Sequence, residues 1–304
     1  MINDVIERLS VICGKECVIE NEMLSKYTTF KVGGPARVFL KVRDKETLKK
    51  VVCLLNEQKE EYFVLGHGSN LLVSDKGYEG IVIFLTGSFS EGYCEEEELF
   101  FGAAAGLTKV CTEALKNDLT GLEFAYGIPG YVGGAMVMNA GAYGGEMKDI
   151  VKSVEVITKS GEEKVLSLDE MEFGYRSSIV REKGYIVTGV RFQLKKGNHE
   201  EIENKMNELL NRRKDKQPLE FPSAGSTFKR PEGFFAGKLI EDSGLRGARV
   251  GGASVSSKHC GFVINDDNAS AEDISKLITY VQKTVKEKYD VLLETEVIRV
   301  GEFG

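Results

Sequence analysis

Between Ala125 and Glu146 the chain reads AYGIPGYVGGAMVMNAGAYGGE, with glycines at 127, 130, 133, 134, 141, 144 and 145. Each glycine inside a helix or strand costs roughly 0.5–1 kcal/mol relative to alanine. A run this dense therefore predicts neither element. It predicts a loop whose backbone must come close to something, and a pyrophosphate is the usual reason. A second segment of the same kind, YFVLGHGSNLL, covers Tyr62–Leu72: a strand enters Gly66-His67-Gly68-Ser69-Asn70, where backbone N–H groups can turn toward an anion. Neither segment has the G-x-G-x-x-G spacing of a Rossmann unit, and no strand–helix pair with a following acidic residue frames them. A P-loop fails as well, because Gly237-Lys238 is followed by Leu239 and the position five before Gly237 is Glu232. The reading is a dinucleotide held by two glycine-rich loops in another fold, with two purely structural loops as the alternative.

The rest of the chain shows what surrounds those loops. Helical periodicity predicts helices over 44–58 (N-cap Asp44), 107–117, 199–213 (stripe Ile202, Met206, Leu209, Leu210) and 271–288, where Ser270 and Asp273 form a capping box. Strand-like runs lie at Tyr62–Leu65, Ile81–Leu85, Leu99–Gly102, Val154–Thr158, Val165–Leu168, Tyr185–Leu194 and Val297–Val300, with a hairpin signal at Ser160-Gly161. Strands joined mostly by turns predict an α+β fold rather than alternating βαβ units. The charged stretch 195–216, followed by Pro218 and Pro222, reads as a connection into a second unit.

Composition excludes several classes. A net charge of −7, with no basic run interleaved with aromatics, argues against nucleic acid as a partner. No stretch of about 18 apolar residues is present, so no membrane span is expected, and the N-terminus lacks the apolar core of a signal peptide. The six cysteines, in a chain of 304 residues, read as reduced cytoplasmic thiols. Cys13 and Cys17 have no partner pair at ligand spacing, so no metal is expected.

Three polar segments carry candidate chemistry: Gly174-Tyr175-Arg176-Ser177-Ser178, Ser223-Ala224-Gly225-Ser226-Thr227-Phe228-Lys229 and Leu293-Glu294-Thr295-Glu296-Val297. Taken singly, each reads as solvated surface. An arginine, a hydroxyl and a carboxylate together suit binding of a substrate carboxylate and delivery of a proton. The spacing alone does not bring them together.

Six segments in this order resemble the UDP-N-acetylenolpyruvoylglucosamine reductase family: TTFKVGGPA (28–36), LGHGSNLL (65–72), GIPGYVGGAMVMNAGAYGGE (127–146), GYRSS (174–178), SAGSTFK (223–229) and LETEV (293–297). The resemblance implies a two-subdomain FAD-binding part of the vanillyl-alcohol-oxidase (PCMH) type over 1–195, with subdomains about 1–88 and 89–195. It also implies a smaller α+β substrate domain at 200–295 and a C-terminal tail, 296–304, packing back. It implies non-covalent FAD, NADPH as co-substrate and a UDP-linked enolpyruvyl sugar as substrate, in peptidoglycan precursor synthesis, by a cytoplasmic monomer. Only Lys195–Asn198 separates the last strand from the helix at 199, which leaves no room for the family's substrate-covering tyrosine loop and implies its shorter, type II form. In the implied chemistry, flavin N5 delivers hydride to the substrate's methylene carbon, Arg176 and Glu296 stabilise the enolate, and Ser226 donates the proton. The implied cofactor contacts are Gly66, His67, Gly68, Ser69, Asn70, Leu71, Gly127, Pro129, Gly130, Gly133, Gly134, Asn139, Gly141 and Ala142. The implied substrate contacts are Tyr175, Lys216, Gly225 and Lys229. A sugar or hydroxy-acid oxidase on the same flavin fold, or a non-catalytic nucleotide-binding module, are the competing readings; neither oxidase nor module needs the set Arg176, Ser226 and Glu296.

Overall fold

A computed structural model describes residues 2–304. The chain forms two compact units, each assembled from separate stretches: residues up to Glu20, Val38–Gly66 and Gly80–Arg213 in the first, and Asn21–Arg37, His67–Glu79 and Lys214–Gly304 in the second.

The first unit is built on two sheets. In one, strands run in the order Val18–Met23, Pro35–Val42, Tyr78–Leu85, Tyr62–Leu65, and the last two are parallel, with Tyr62 opposite Ile81. The other has five antiparallel strands in the order Glu163–Ser167, Val151–Ile157, Ile186–Gln193, Glu98–Gly102, Gly92–Glu95. The expected hairpin is present: Gly161, at φ 85°, donates its N–H to Thr158 O, and Thr158 N bonds Glu162 O. The helix Lys45–Gln58 begins at Asp44, whose carboxylate accepts from Thr47 N, and it buries Leu48, Val51, Val52, Leu54 and Leu55. The helix Leu107–Lys116 buries Leu107, Val110, Cys111 and Ala114. A third, Ile2–Cys13, was not foreseen; its Val5 and Leu9 are buried in the same core.

Two expectations require correction. The helix His199–Lys216 buries Ile202, Met206 and Leu209, but its fourth buried side chain is Arg213, and Leu210 is only half-buried. The glycine run also contains a short helix, Val132–Val137, where no regular element was expected. The cause is close packing. Val132 N and Gly133 N donate to Ala105 O and Ala103 O at 2.9 and 2.8 Å, and a Cβ on Gly133 would sit 3.0 Å from the Cβ of Ala103. Here glycine serves the approach of one backbone to another, which outweighs its low helix propensity.

The second unit packs the helix Ala271–Tyr289 on a three-stranded antiparallel sheet, Arg249–Val250, Ala253–Val255 and Val263–Asn265. Ile274, Leu277, Ile278, Val281 and Val285 face Val255 and Val263 in its core. The Ser270–Asp273 capping box is formed as the sequence indicates. Residues far apart in sequence complete this unit. Ile298–Val300 pairs in parallel with Leu71–Val73, and the Asp75 carboxylate accepts from Ala271 N and Glu272 N at 2.8 and 3.0 Å. Asp75 thus holds two N–H groups of the helix's first turn that have no intrahelical partner. Asp75→Ala is expected to cost about 1–2 kcal/mol, read as a lowered midpoint in urea unfolding with an unchanged slope. These pairings are why the compact units divide the chain elsewhere than near 195–200.

Candidate active site

The strand Tyr62–Leu65 and the glycine run meet at one cleft in the first unit. It has a cavity volume of about 90 Å³ and is lined by Leu65, Gly66, Ala103, Ala104, Tyr131, Gly133, Gly134 and Tyr185–Val187, among others. A Cβ added at Gly66 or Gly134 would meet no atom within 4 Å, so these glycines face open space. At the C-terminal end of the helix His199–Lys216, Arg213 is buried and its Nε lacks a hydrogen-bond partner. Its side chain lies 3.7 Å from where a Cβ of Gly127 would stand, and its guanidinium sits 6.0 Å from the Tyr143 ring centroid. A cleft with glycine walls and an orphaned buried guanidinium nitrogen near the same glycine run suits a flat, anionic dinucleotide, and FAD fits that description. Position 213 continues the buried stripe of 202, 206 and 209, but an arginine there gave no sign of burial.

Arg176 is placed by the turn that carries it. Gly174 and Ser177 exchange backbone hydrogen bonds, and Arg176 sits at φ 56°, a left-handed conformation that a non-glycine residue adopts at a cost. Its guanidinium stacks on the Tyr175 ring at 5.0 Å and donates to Gly141 O at 3.5 Å. Arg181 Nη1 bonds the Arg176 carbonyl at 3.2 Å, and the buried Ser178 hydroxyl bonds Val137 O at 3.0 Å. The arginine turn and the glycine run are therefore one structure. Asn139, expected among the cofactor contacts, is the tie between them. It is fully buried; Nδ2 donates to Gly174 O and Glu146 Oε2, both at 3.1 Å, and Oδ1 accepts from Lys148 N. Its amide is committed inside the protein. Lys148, with help from Asn139 and Arg176, holds the Glu146 carboxyl below its ordinary range.

Ser226 belongs to the second unit, on an arch over a sheet edge. Asn265 N bonds Pro222 O, Ser223 bridges Ile264, and Thr227 ends the arch by donating its N–H to Gly261 O at 2.9 Å. Between these feet Gly225 takes φ 74° and Ser226 is exposed. Beyond Thr227 the chain pairs with the segment that carries Glu296. Phe228 bridges Thr295, Lys229 N bonds Glu294 O, and Glu296 N bonds Thr227 O, both bonds at 2.9 Å. Lys229 Nζ also pairs with Glu294 at 3.0 Å. On its other side the Glu296 carbonyl accepts from Asn70 Nδ2 at 3.1 Å, and Ile298 N bonds Asn70 O. The glycine loop and the Glu296 segment are thereby joined.

Within that loop Gly68 has φ 66°, and a Cβ there would stand 2.0 Å from Tyr27 O. His67 and Pro129 are exposed, while Ser69, Leu71, Gly130 and Ala142 are partly exposed. Lys216 ends its helix, and its charge adds to burial in pushing His259 below the ordinary histidine value. His259 Nδ1 accepts from Gly261 N at 3.0 Å, which places the neutral ring's proton on Nε2.

Residues 36–167 match the family model described as an FAD binding domain, and residues 217–300 match that of the UDP-N-acetylenolpyruvoylglucosamine reductase C-terminal domain. The chain is 50% identical over 299 residues to the UDP-N-acetylenolpyruvoylglucosamine reductase of Clostridium novyi, covering 98% of this chain and 97% of that one. It is 51% identical over 306 residues to that of Lachnoclostridium phytofermentans, with 99% of each covered. Among solved structures, the MurB reductase of Thermus caldophilus superposes with a TM-score of 0.82 at 40% identity, covering 93% of this chain and 99% of that one. A Phl p 4 glucose oxidase variant, at 12% identity and a TM-score of 0.51 over 64% of this chain, shares the fold alone. No helix among the described residues is long and apolar enough to cross a membrane. With both domain models matched in order and half of all residues identical across nearly the full length, the chain belongs to the UDP-N-acetylenolpyruvoylglucosamine reductase family, FAD-dependent oxidoreductases of peptidoglycan synthesis.

Proposed function

We propose that this chain reduces UDP-N-acetylglucosamine enolpyruvate to UDP-N-acetylmuramate with NADPH, and that Arg176, Ser226 and Glu296 carry the chemistry. When bound, FAD supplies the hydride, received from NADPH and given to the substrate's methylene carbon. The side chains then manage charge and a proton. Arg176, fixed by its stack on Tyr175 and its bond to Gly141 O, provides a preorganised cation for the substrate carboxylate, where negative charge develops. Ser226 protonates the neighbouring carbon, and Glu296 positions the enol form or shares its proton. Lys216, Lys229, Gly225 and Tyr175 are the substrate-side contacts in this reading, and the two glycine loops hold the FAD. The observation that carries the proton-transfer assignment is the 2.9 Å bond from Glu296 N to Thr227 O. It ties the residue after Ser226 to Glu296 itself, although some 70 positions of sequence separate them.

The purified protein is expected to be yellow, with one FAD per chain released on denaturation in guanidinium. A colourless protein that takes up no FAD on reconstitution contradicts the reading.

A further inference from the structure

Thr227 is the one fully buried hydroxyl residue in the Ser226 arch, and all three of its polar groups are engaged. Its N–H donates to Gly261 O at 2.9 Å, its carbonyl accepts from Glu296 N at 2.9 Å, and its Oγ1 accepts from Val263 N at 2.9 Å. Val263 lies on the outer strand of the three-stranded sheet and is itself buried, so its N–H needs a partner where the sheet ends. A threonine hydroxyl meets that need; a valine of the same shape does not. The chain bends at Thr227, between exposed Ser226 and buried Phe228. The arch foot is thus fixed by a side chain, while the Glu296 backbone hangs on the same residue's carbonyl.

We propose that Thr227 is a positioning residue for proton delivery: its hydroxyl, seated on the edge strand at Val263, fixes the bend that presents Ser226 and sets Glu296 in register with it. The inference rests on the roles proposed above for Ser226 and Glu296. Asn70 holds the Glu296 peptide from the opposite side, so that peptide is fixed at both ends: its N–H donates to the Thr227 carbonyl, and its carbonyl accepts from the Asn70 side chain. Loss of the Oγ1 anchor lets the bend relax. Displacement of a reacting group by about 1 Å costs on the order of a hundredfold in rate.

The test separates the two half-reactions in anaerobic stopped flow, using the flavin-loaded enzyme. Thr227→Val is expected to leave flavin reduction by NADPH within about twofold of the parent. It should slow flavin reoxidation by UDP-N-acetylglucosamine enolpyruvate roughly ten- to a hundredfold. Thr227→Ser, which keeps the acceptor, restores the parent rate, and Thr227→Cys, a weaker acceptor, falls between; the cysteine variant decides the matter where the valine variant does not fold. Val281→Ala, a core cavity in the same unit, serves as the control for lost stability and slows neither half-reaction selectively. Equal slowing of both half-reactions, no slowing of either, or failure of the serine variant to recover overturns the inference. Ser226→Ala distinguishes its failure from failure of the underlying roles: fast reoxidation in that variant removes the proton-donor assignment, whereas slow reoxidation there with a normal Thr227→Val removes only the positioning role.

Discussion

Ser226→Ala is expected to slow flavin reoxidation by the enolpyruvyl sugar by roughly 10²–10⁴-fold, the range contributed by a positioned proton donor. The same variant should reduce its flavin with NADPH at the parent rate, because the hydroxyl is needed only after hydride has left the flavin. The substitution is structurally mild. Ser226 is exposed on its arch, and the arch is held by Ser223 and Thr227, not by the Ser226 side chain. Single-turnover measurement is the proper check, since steady-state rates mix the two halves. A variant slowed in both halves would mean that Ser226 supports flavin binding instead.

The second large effect comes from two glycines two residues apart, which should fail in different ways. At Gly68 an added methyl would stand 2.0 Å from Tyr27 O, on backbone held at φ 66°. The left-handed conformation costs alanine about 1–2 kcal/mol, and the forced backbone shift roughly 1–3 kcal/mol more. Against a typical total stability of about 5–15 kcal/mol, Gly68→Ala should lower the thermal midpoint of the flavin-free protein markedly. At Gly66 the added methyl meets nothing within 4 Å. Gly66→Ala should therefore leave the flavin-free midpoint nearly unchanged while lowering the flavin retained on purification, because the methyl enters the cleft assigned to FAD. Thermal unfolding with and without added FAD separates the two. Equal retention of flavin in Gly66→Ala and the parent would contradict that assignment.

What the sequence made legible followed local chemistry. Asp44, Ser270 and Asp273 cap helices because a short polar side chain before an apolar stripe has few other uses. Gly161 marks its hairpin for a similar reason. The glycine run was legible as a place of close approach, but what approaches it differs along its length. Both Gly133 and Gly134 lie in the short helix Val132–Val137, but a Cβ on Gly133 would press on Ala103, whereas one on Gly134 would meet open space. No local pattern distinguishes the two. Asn139, a cofactor contact implied by the resemblance, is fully buried with its amide engaged in three internal bonds, which no local pattern announces. Arg213 and Thr227 were missed because their roles depend on long-range partners: a ring at Tyr143, and the N–H of Val263 on a sheet edge, which donates to the Thr227 hydroxyl. The division into compact units depends likewise on pairings such as Ile298–Val300 with Leu71–Val73, across more than 200 residues of sequence. Identity of the flavin and the sugar was carried by family motifs, not by loop chemistry.

The central claim is that the chain passes reducing equivalents from NADPH to a UDP-linked enolpyruvyl sugar. Anaerobic oxidation of NADPH, followed at 340 nm with and without UDP-N-acetylglucosamine enolpyruvate, tests it most directly, with the product weighed by mass spectrometry. The account predicts stoichiometric NADPH loss only when the sugar is present, and a product heavier than the substrate by two hydrogens. Turnover with oxygen but none with the enolpyruvyl sugar would contradict it and point to an oxidase.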